Sequence, residues 1–286
     1  MVNGVVDTVH ARAGRAAVLD SGKDEMNESV VTRERVGKAA HLTINRPDQR
    51  NALSNEVLAE LRAGLAEAKA DPAVRAVVLT GAGDRAFCAG GDLRQMGEDG
   101  DELAAHRGRA GLAGVIRDLW ELGKPTIARV QGYALAGGFG LAAACDFLVA
   151  SERAVFGVPE VGVGLWPYMI TVPLLQSMAP KDALRLMLTG RRIDAAEGHR
   201  LGVVSDVVAH ETLDKAVAAL VEELAKAAPQ AVSLGRTTFY SVLNNDVDVR
   251  LRMLEASLTV NLALGDAREG MAAFVEKRRP AWQEES

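Results

Sequence analysis

Apolar positions along the chain fall into two registers. Short, mostly apolar runs at 74–79, 126–130 and 147–150 are too brief for helices and predict buried strands; 36–44 and 202–208 also read as strand. Longer stretches keep apolar residues at helical spacing. Leu58, Leu61 and Leu65 mark one helix, 112–122 and 184–188 two more, and Leu213, Val217, Leu220, Val221 and Leu224 a fourth. Amphipathic candidates at 232–243 and 251–264 close the series. Ser54 and Asp194 sit where N-caps belong, and Asp71-Pro72 and Pro229 stop the helices before them. A repeating strand, small-residue turn and helix predicts an α/β fold. The first 30 residues keep neither register and are expected to be a poorly ordered extension, with Met26 resembling a natural beginning. The acidic segment 98–106 reads as a solvated loop or a flap.

Two of the turns carry candidate chemistry. After the strand at 126–130 comes Gly132-Tyr133-Ala134-Leu135-Ala136-Gly137-Gly138-Phe139-Gly140, running into an Ala-rich helix that ends before Asp146. Gly137 and Gly138 let a ligand approach the backbone, and a helix start leaves N–H groups unpaired and partly positive. After the strand at 74–79 comes Ala86-Phe87-Cys88-Ala89-Gly90-Gly91-Asp92-Leu93, with Asp92 placed to cap a following helix. Two such turns can aim two N–H donors at one oxygen. Gly81-Ala82-Gly83-Asp84-Arg85-Ala86 also fits a loose G-x-G-x-x-A, but no clear helix follows it, which weighs against dinucleotide binding. Glu160 is the single carboxylate in the Pro-constrained apolar run 156–167, where burial would raise its pKa.

Composition narrows the class. Charged residues are 25% and hydrophobic residues 48%, enough for a sizeable core, while aromatics are only 4%, which favours close backbone packing over ring stacking. The net charge of −5 without a dense Lys/Arg patch argues against nucleic acid. Cys88 and Cys145 read as buried, inert thiols, and His10, His41, His106, His199 and His210 are scattered without metal-ligand spacing, so no metal is expected. With no run of transmembrane length and no evident signal peptide, the expectation is a cytoplasmic enzyme without a membrane partner.

The paired turns, with Thr43-Ile44-Asn45-Arg46-Pro47 and Asn51-Ala52-Leu53 before them, resemble the crotonase (enoyl-CoA hydratase/isomerase) superfamily. The resemblance implies a spiral of stacked ββα units over 31–206 that holds an acyl-CoA site. It also implies a helical region over 207–286 that builds a homotrimer or a dimer of trimers. It places the oxyanion donors at the Ala89 and Gly137 N–H groups and the catalytic acid/base at Glu160. Substrate contacts are implied at Arg50, Ala86, Cys88, Asp92, Leu93, Gly138, Gly140, Trp166 and Lys277, with Arg278 a second candidate in the tail. No cofactor is implied beyond the coenzyme A of the substrate. The hydratases of the family carry a second glutamate three residues after the oxyanion glycine, where this chain has Gly140. One carboxylate suffices to shift a double bond, whereas hydration benefits from two. The expectation is therefore Δ3,Δ2-type enoyl-CoA isomerisation. The alternatives are a hydratase with non-standard water activation and a non-catalytic acyl-CoA-binding or assembly protein.

Overall fold

The computed structural model describes residues 29–92 and 102–283. The first 28 residues, Leu93, and the part of the 98–106 segment up to residue 101 lie outside the described residues.

Two sheets are built in alternation. The larger has six strands: β1 (Val31–Val36), β2 (Ala39–Ile44), β3 (Ala76–Gly81), β5 (Thr126–Val130), β7 (Phe147–Ser151) and β10 (Asp206–Val208), in the order β1-β2-β3-β5-β7-β10. The smaller orders β4 (Ala86–Cys88), β6 (Tyr133–Leu135), β8 (Val155–Gly157) and β9 (Arg192–Asp194) as β4-β6-β8-β9. Each pass of the chain lays one strand in each sheet, β3 then β4, β5 then β6, β7 then β8, and so winds the expected ββα spiral. Among the described residues only β1–β2 and β8–β9 pair antiparallel; every other strand pairing is parallel.

Burial explains the strand sequences. All of β3 is buried, with Val77 and Leu79 in the main core and Ala76 and Val78 in a second core on the other face of the sheet. That second core is closed by Leu213, Val217 and Val221, so both faces of the strand are apolar, as in any parallel sheet covered on two sides.

The helices are α1 (Asn55–Ala70), α2 (Glu102–Trp120), α3 (Gly137–Ala143), α4 (Thr171–Ser177), α5 (Pro180–Thr189), α6 (Ala195–Arg200), α7 (Leu213–Leu224), α8 (Pro229–Val242), α9 (Val247–Ala263) and α10 (Gly265–Glu276). Ser54 and Asp194 are the side-chain caps the sequence predicts, accepting from the Val57 and Glu197 N–H groups. Pro229 opens α8 as its first residue, where a missing N–H costs nothing, and α7 has already ended at Leu224. Three readings are corrected, the first being the strand expected at 202–208, which is confined to Asp206–Val208. The strand expected at 36–44 is a hairpin that begins at Val31 and turns at Gly37, which takes a φ of +57°. The helix expected from 112 begins at Glu102, so 102–106 is helix and not loop.

The C-terminal helices leave much apolar surface open. No residue of α9 is buried; Val247, Leu251, Leu254 and Leu258 are among those it exposes. Among the described residues no helix is long and apolar enough to cross a membrane.

Candidate active site

The small sheet brings three turns together. Its parallel pairs align Cys88 with Ala134 and Leu135 with Gly157, so β4, β6 and β8 all end on one side. The turns that follow are Ala89–Asp92, Ala136–Gly138 and Val158–Glu160.

The middle turn opens α3. Ala136 precedes it at φ 51° and ψ −129°, a conformation that L-residues rarely adopt. It is pinned there by its N–H to the Gly157 carbonyl (2.9 Å) and by its carbonyl, which accepts from Phe139 and Gly140. The strain of about 1–3 kcal/mol is a feature of sites the surroundings over-determine. Its effect is to leave the half-buried Gly137 N–H, first in the helix, without an acceptor among the described residues.

At the first turn the amide expected as donor is already engaged. The Ala89 N–H donates to the Arg50 carbonyl at 3.0 Å and is spent on the fold. The Gly90 carbonyl accepts from Leu53 and the Asp92 N–H donates to Leu53, which fixes the peptide between them. The Gly91 N–H, half-buried, is the amide at this turn without an acceptor among the described residues. A Cβ at Gly137 would stand 3.8 Å from the Gly91 nitrogen, and the Leu53 and Leu112 side chains crowd the same point. Two open amides therefore lie close together under apolar walls, which strengthens any bond they make to an oxyanion.

Buried polar side chains hold the first turn. Asn51, fully buried at φ 57°, accepts from the Arg46 N–H and donates to the Ala82 and Ala86 carbonyls. Gln131 donates to the Gly81, Gly83 and Ala86 carbonyls. The glycine-rich loop at 81–86 thus gives its carbonyls to the interior and runs into β4, so the dinucleotide reading fails on geometry. Asp92 pairs with Arg46 at 3.0 Å, both side chains 13% exposed, and Arg46 also donates to the Ala52 carbonyl. Asp92, expected as a substrate contact, fastens the turn to Arg46.

Glu160 lies in the third turn, on a 3-10 segment, Pro159–Val163. Burial raises its pKa above the ordinary carboxylate value, against a smaller opposing pull from its own backbone amide. Its Oε2 is buried without a hydrogen-bond partner among the described residues. An unpartnered carboxylate oxygen of this kind is costly for stability and suited to taking a proton.

The remaining expected residues fall into three groups. Ala86, Cys88, Gly138 and Gly140, expected as substrate contacts, are buried. A Cβ at Gly138 would meet the Cys88 carbonyl oxygen at 2.4 Å, and burial pushes the Cys88 thiol up to about 12. Trp166 is half-buried against the core, as is Met169, while Tyr168 is exposed. Arg50 and Lys277 are exposed, at φ 53° and 58° respectively. Arg278 is committed to Glu269 and Glu276.

A ββα spiral in which two turns of the small sheet bring open amides close together, with a half-buried acid on the turn after the neighbouring strand, defines a fold of the crotonase type. The chain belongs to the enoyl-CoA hydratase/isomerase family, whose model matches residues 34–285. It is 36% identical to the short-chain-enoyl-CoA hydratase of Clostridium acetobutylicum, over 89% of this chain and 97% of that protein. It is also 36% identical to the (E)-benzylidenesuccinyl-CoA hydratase of Thauera aromatica, over 88% of this chain and 98% of that one. The crystal structure of an enoyl-CoA hydratase from Mycobacterium smegmatis superposes with a TM-score of 0.85 at 35% identity, covering 90% of this chain and all of that one.

Proposed function

We propose that the enzyme grips the carbonyl oxygen of an acyl-CoA thioester between the Gly91 and Gly137 N–H groups and that Glu160 moves the proton, the reaction being Δ3,Δ2-type double-bond isomerisation. The Glu160 carboxylate takes a proton from C2 of a 3-enoyl thioester. The electron pair left behind delocalises onto the thioester oxygen, where the two amides stabilise the enolate. The protonated Glu160 then returns the proton at C4, leaving the 2-enoyl product. The reading calls for no cofactor, since coenzyme A belongs to the substrate.

One observation carries the choice of reaction. Gly140 stands where a second carboxylate would sit, and a Cβ there would lie 2.0 Å from Ile170 Cγ2 and 2.2 Å from Ile170 Cβ. Ile170 is buried, so the place of a water-activating acid is filled by hydrocarbon. The names of the similar proteins favour a second reading, hydration, in which Glu160 alone would activate water. Exposed Arg50 and Lys277 are the basic groups suited to the CoA phosphates, and the open face of α9 suits a homotrimer or a dimer of trimers. A cytoplasmic acyl-CoA enzyme fits these features.

The test is to incubate the protein with 3-enoyl-CoA and 2-enoyl-CoA substrates over a range of chain lengths and identify the products. The 2-enoyl product from the 3-enoyl substrate, with little 3-hydroxyacyl product from either, is the expected result. Rapid formation of 3-hydroxyacyl-CoA selects the second reading, and binding without turnover shows an acyl-CoA-binding protein instead.

A further inference from the structure

The helix that presents the Gly137 amide is held from its far end by the C-terminal helices. α3 has seven residues, about 10 Å of helix, so a shift at its end moves its start with little loss. Asp146, three residues beyond it, is the anchor. Its Oδ2 accepts from the Thr126 N–H (2.7 Å), the Thr126 hydroxyl (3.0 Å) and Arg236 Nε (2.7 Å), and its Oδ1 accepts from the Tyr240 hydroxyl (2.6 Å). The Thr126 hydroxyl also accepts from the Asp146 N–H, which ties the end of α3 to the start of β5, the strand that leads to the Gly137 turn.

Arg236 and Tyr240 lie four apart on one face of α8. Arg236 Nη1 donates to the Trp120 carbonyl, and Trp120 Nε1 donates to the Ala144 carbonyl at the end of α3. The Trp120 and Tyr240 rings stack at 5.4 Å and 15°. The Arg236–Asp146 pair is only 8% and 15% exposed, and burial followed by the Asp146 charge raises the Tyr240 pKa, so its hydroxyl stays a donor. A cavity of about 260 Å³ lined by Trp120, Asp146, Ser177, Ser205, Phe239 and Tyr240 lies beside the network. The seam between α8 and the spiral is therefore incompletely filled beside the network.

We infer that Arg236 and Tyr240 are positioning residues for the Gly137 amide, acting through Asp146, so that the acyl-thioester site depends on the docking of α8. The inference rests on the reading of Gly137 as an oxyanion donor. Neither residue touches the substrate; each fixes where one amide points. Misplacing a catalytic group by about 1 Å costs about 100-fold in rate.

The experiment uses the full chain and butyryl-CoA carrying ¹³C at its carbonyl, a saturated thioester with no double bond to move. In the unmutated protein the bound carbonyl resonance shifts downfield from its free value. Tyr240→Phe and Arg236→Met are expected to reduce that shift and to lower kcat about 10- to 100-fold, with KM within about threefold. Arg236→Lys is expected to recover part of both. Tyr240→Phe removes one hydroxyl from a stacked ring and keeps the test open where Arg236→Met fails to fold. A full carbonyl shift in Tyr240→Phe or a folded Arg236→Met, whatever happens to kcat, overturns the inference. Butyryl-CoA bound to the unmutated protein with no shift overturns the oxyanion reading itself, which separates the two failures.

Discussion

Ile170 occupies the space that any side chain at residue 140 would need, its Cγ2 only 2.0 Å from where a Cβ on Gly140 would stand. The missing second acid is thus more than a missing residue; the fold has closed over its place. Gly140→Glu alone is expected to destabilise the protein by at least the roughly 1–3 kcal/mol of an overpacked core, and to add no hydration activity. Gly140→Glu with Ile170→Gly reopens the volume and is expected to raise formation of 3-hydroxyacyl-CoA above the single variant. Denaturant unfolding and product analysis on the three proteins check this; hydration by the single variant would show that the site yields more readily than its packing implies.

Glu160 should set the acid limb of the rate profile. Proton abstraction needs the carboxylate, and burial raises its pKa, so kcat/KM is expected to fall on acidification with a midpoint above the ordinary glutamate value. Glu160→Gln is expected to lose at least about 100-fold in kcat, the lower range for general acid–base groups. Stability should move the other way. A carboxyl whose folded-state pKa lies above its unfolded value stabilises most below the unfolded pKa and loses that contribution as pH rises through the folded one. Glu160→Gln is therefore expected to be at least as stable as the parent at pH 7, with the advantage gone in acid. Denaturant titrations at pH 4 and pH 7 read the sign.

Much of the frame is legible in the sequence because it is local. The run at 126–130 is β5 residue for residue, and the Ser54 and Asp194 caps depend on neighbours three positions away. The small sheet is not legible, because β4, β6, β8 and β9 have three residues each, too few to display a period. The choice between Ala89 and Gly91 as donor turns on which amide the chain has already used. That is decided by the Arg50 carbonyl, 39 positions earlier, held by two consecutive residues at positive φ with no glycine to announce them. Arg46 reads only as part of the Thr43–Pro47 segment until Asp92 is seen against it, and Asp146 reads as a helix end until α8 arrives 90 positions later. Turn chemistry and strand runs point to a site; which atoms of it are free is a matter of long-range partners.

Cys88 ends β4 just before the first turn, yet is expected to be chemically silent. Its thiol is buried and pushed up to about 12, and it accepts from the Gly90 N–H at 3.4 Å. The nucleophile in alkylation is the thiolate, which such a thiol scarcely supplies at pH 8. Folded protein treated with iodoacetamide should keep Cys88 unmodified and retain its turnover, while denatured protein should be alkylated at both Cys88 and Cys145. Mass spectrometry of the peptides decides it; rapid labelling of Cys88 in the native state would mean that the turn opens.

Gly138→Ala should reverse the usual sign of a helical glycine substitution. Within a helix, alanine is ordinarily favoured over glycine by about 0.5–1 kcal/mol. Gly138 lies in the first turn of α3 at an unexceptional φ, so backbone conformation offers no objection. The objection is steric: a Cβ there would stand 2.4 Å from the Cys88 carbonyl oxygen and 2.7 Å from Cys88 Cβ. Neither is the free end of a flexible side chain, so the start of α3 must move away from β4. That movement separates the Gly137 and Gly91 amides. The expected result is a loss of about 1–3 kcal/mol in stability, the range for overpacking, with a fall in kcat of about 100-fold, as for an oxyanion donor displaced by about 1 Å. Denaturant unfolding and steady-state kinetics on the one variant check both parts, and a stabilised, fully active Gly138→Ala would mean that the two turns are not held at this separation.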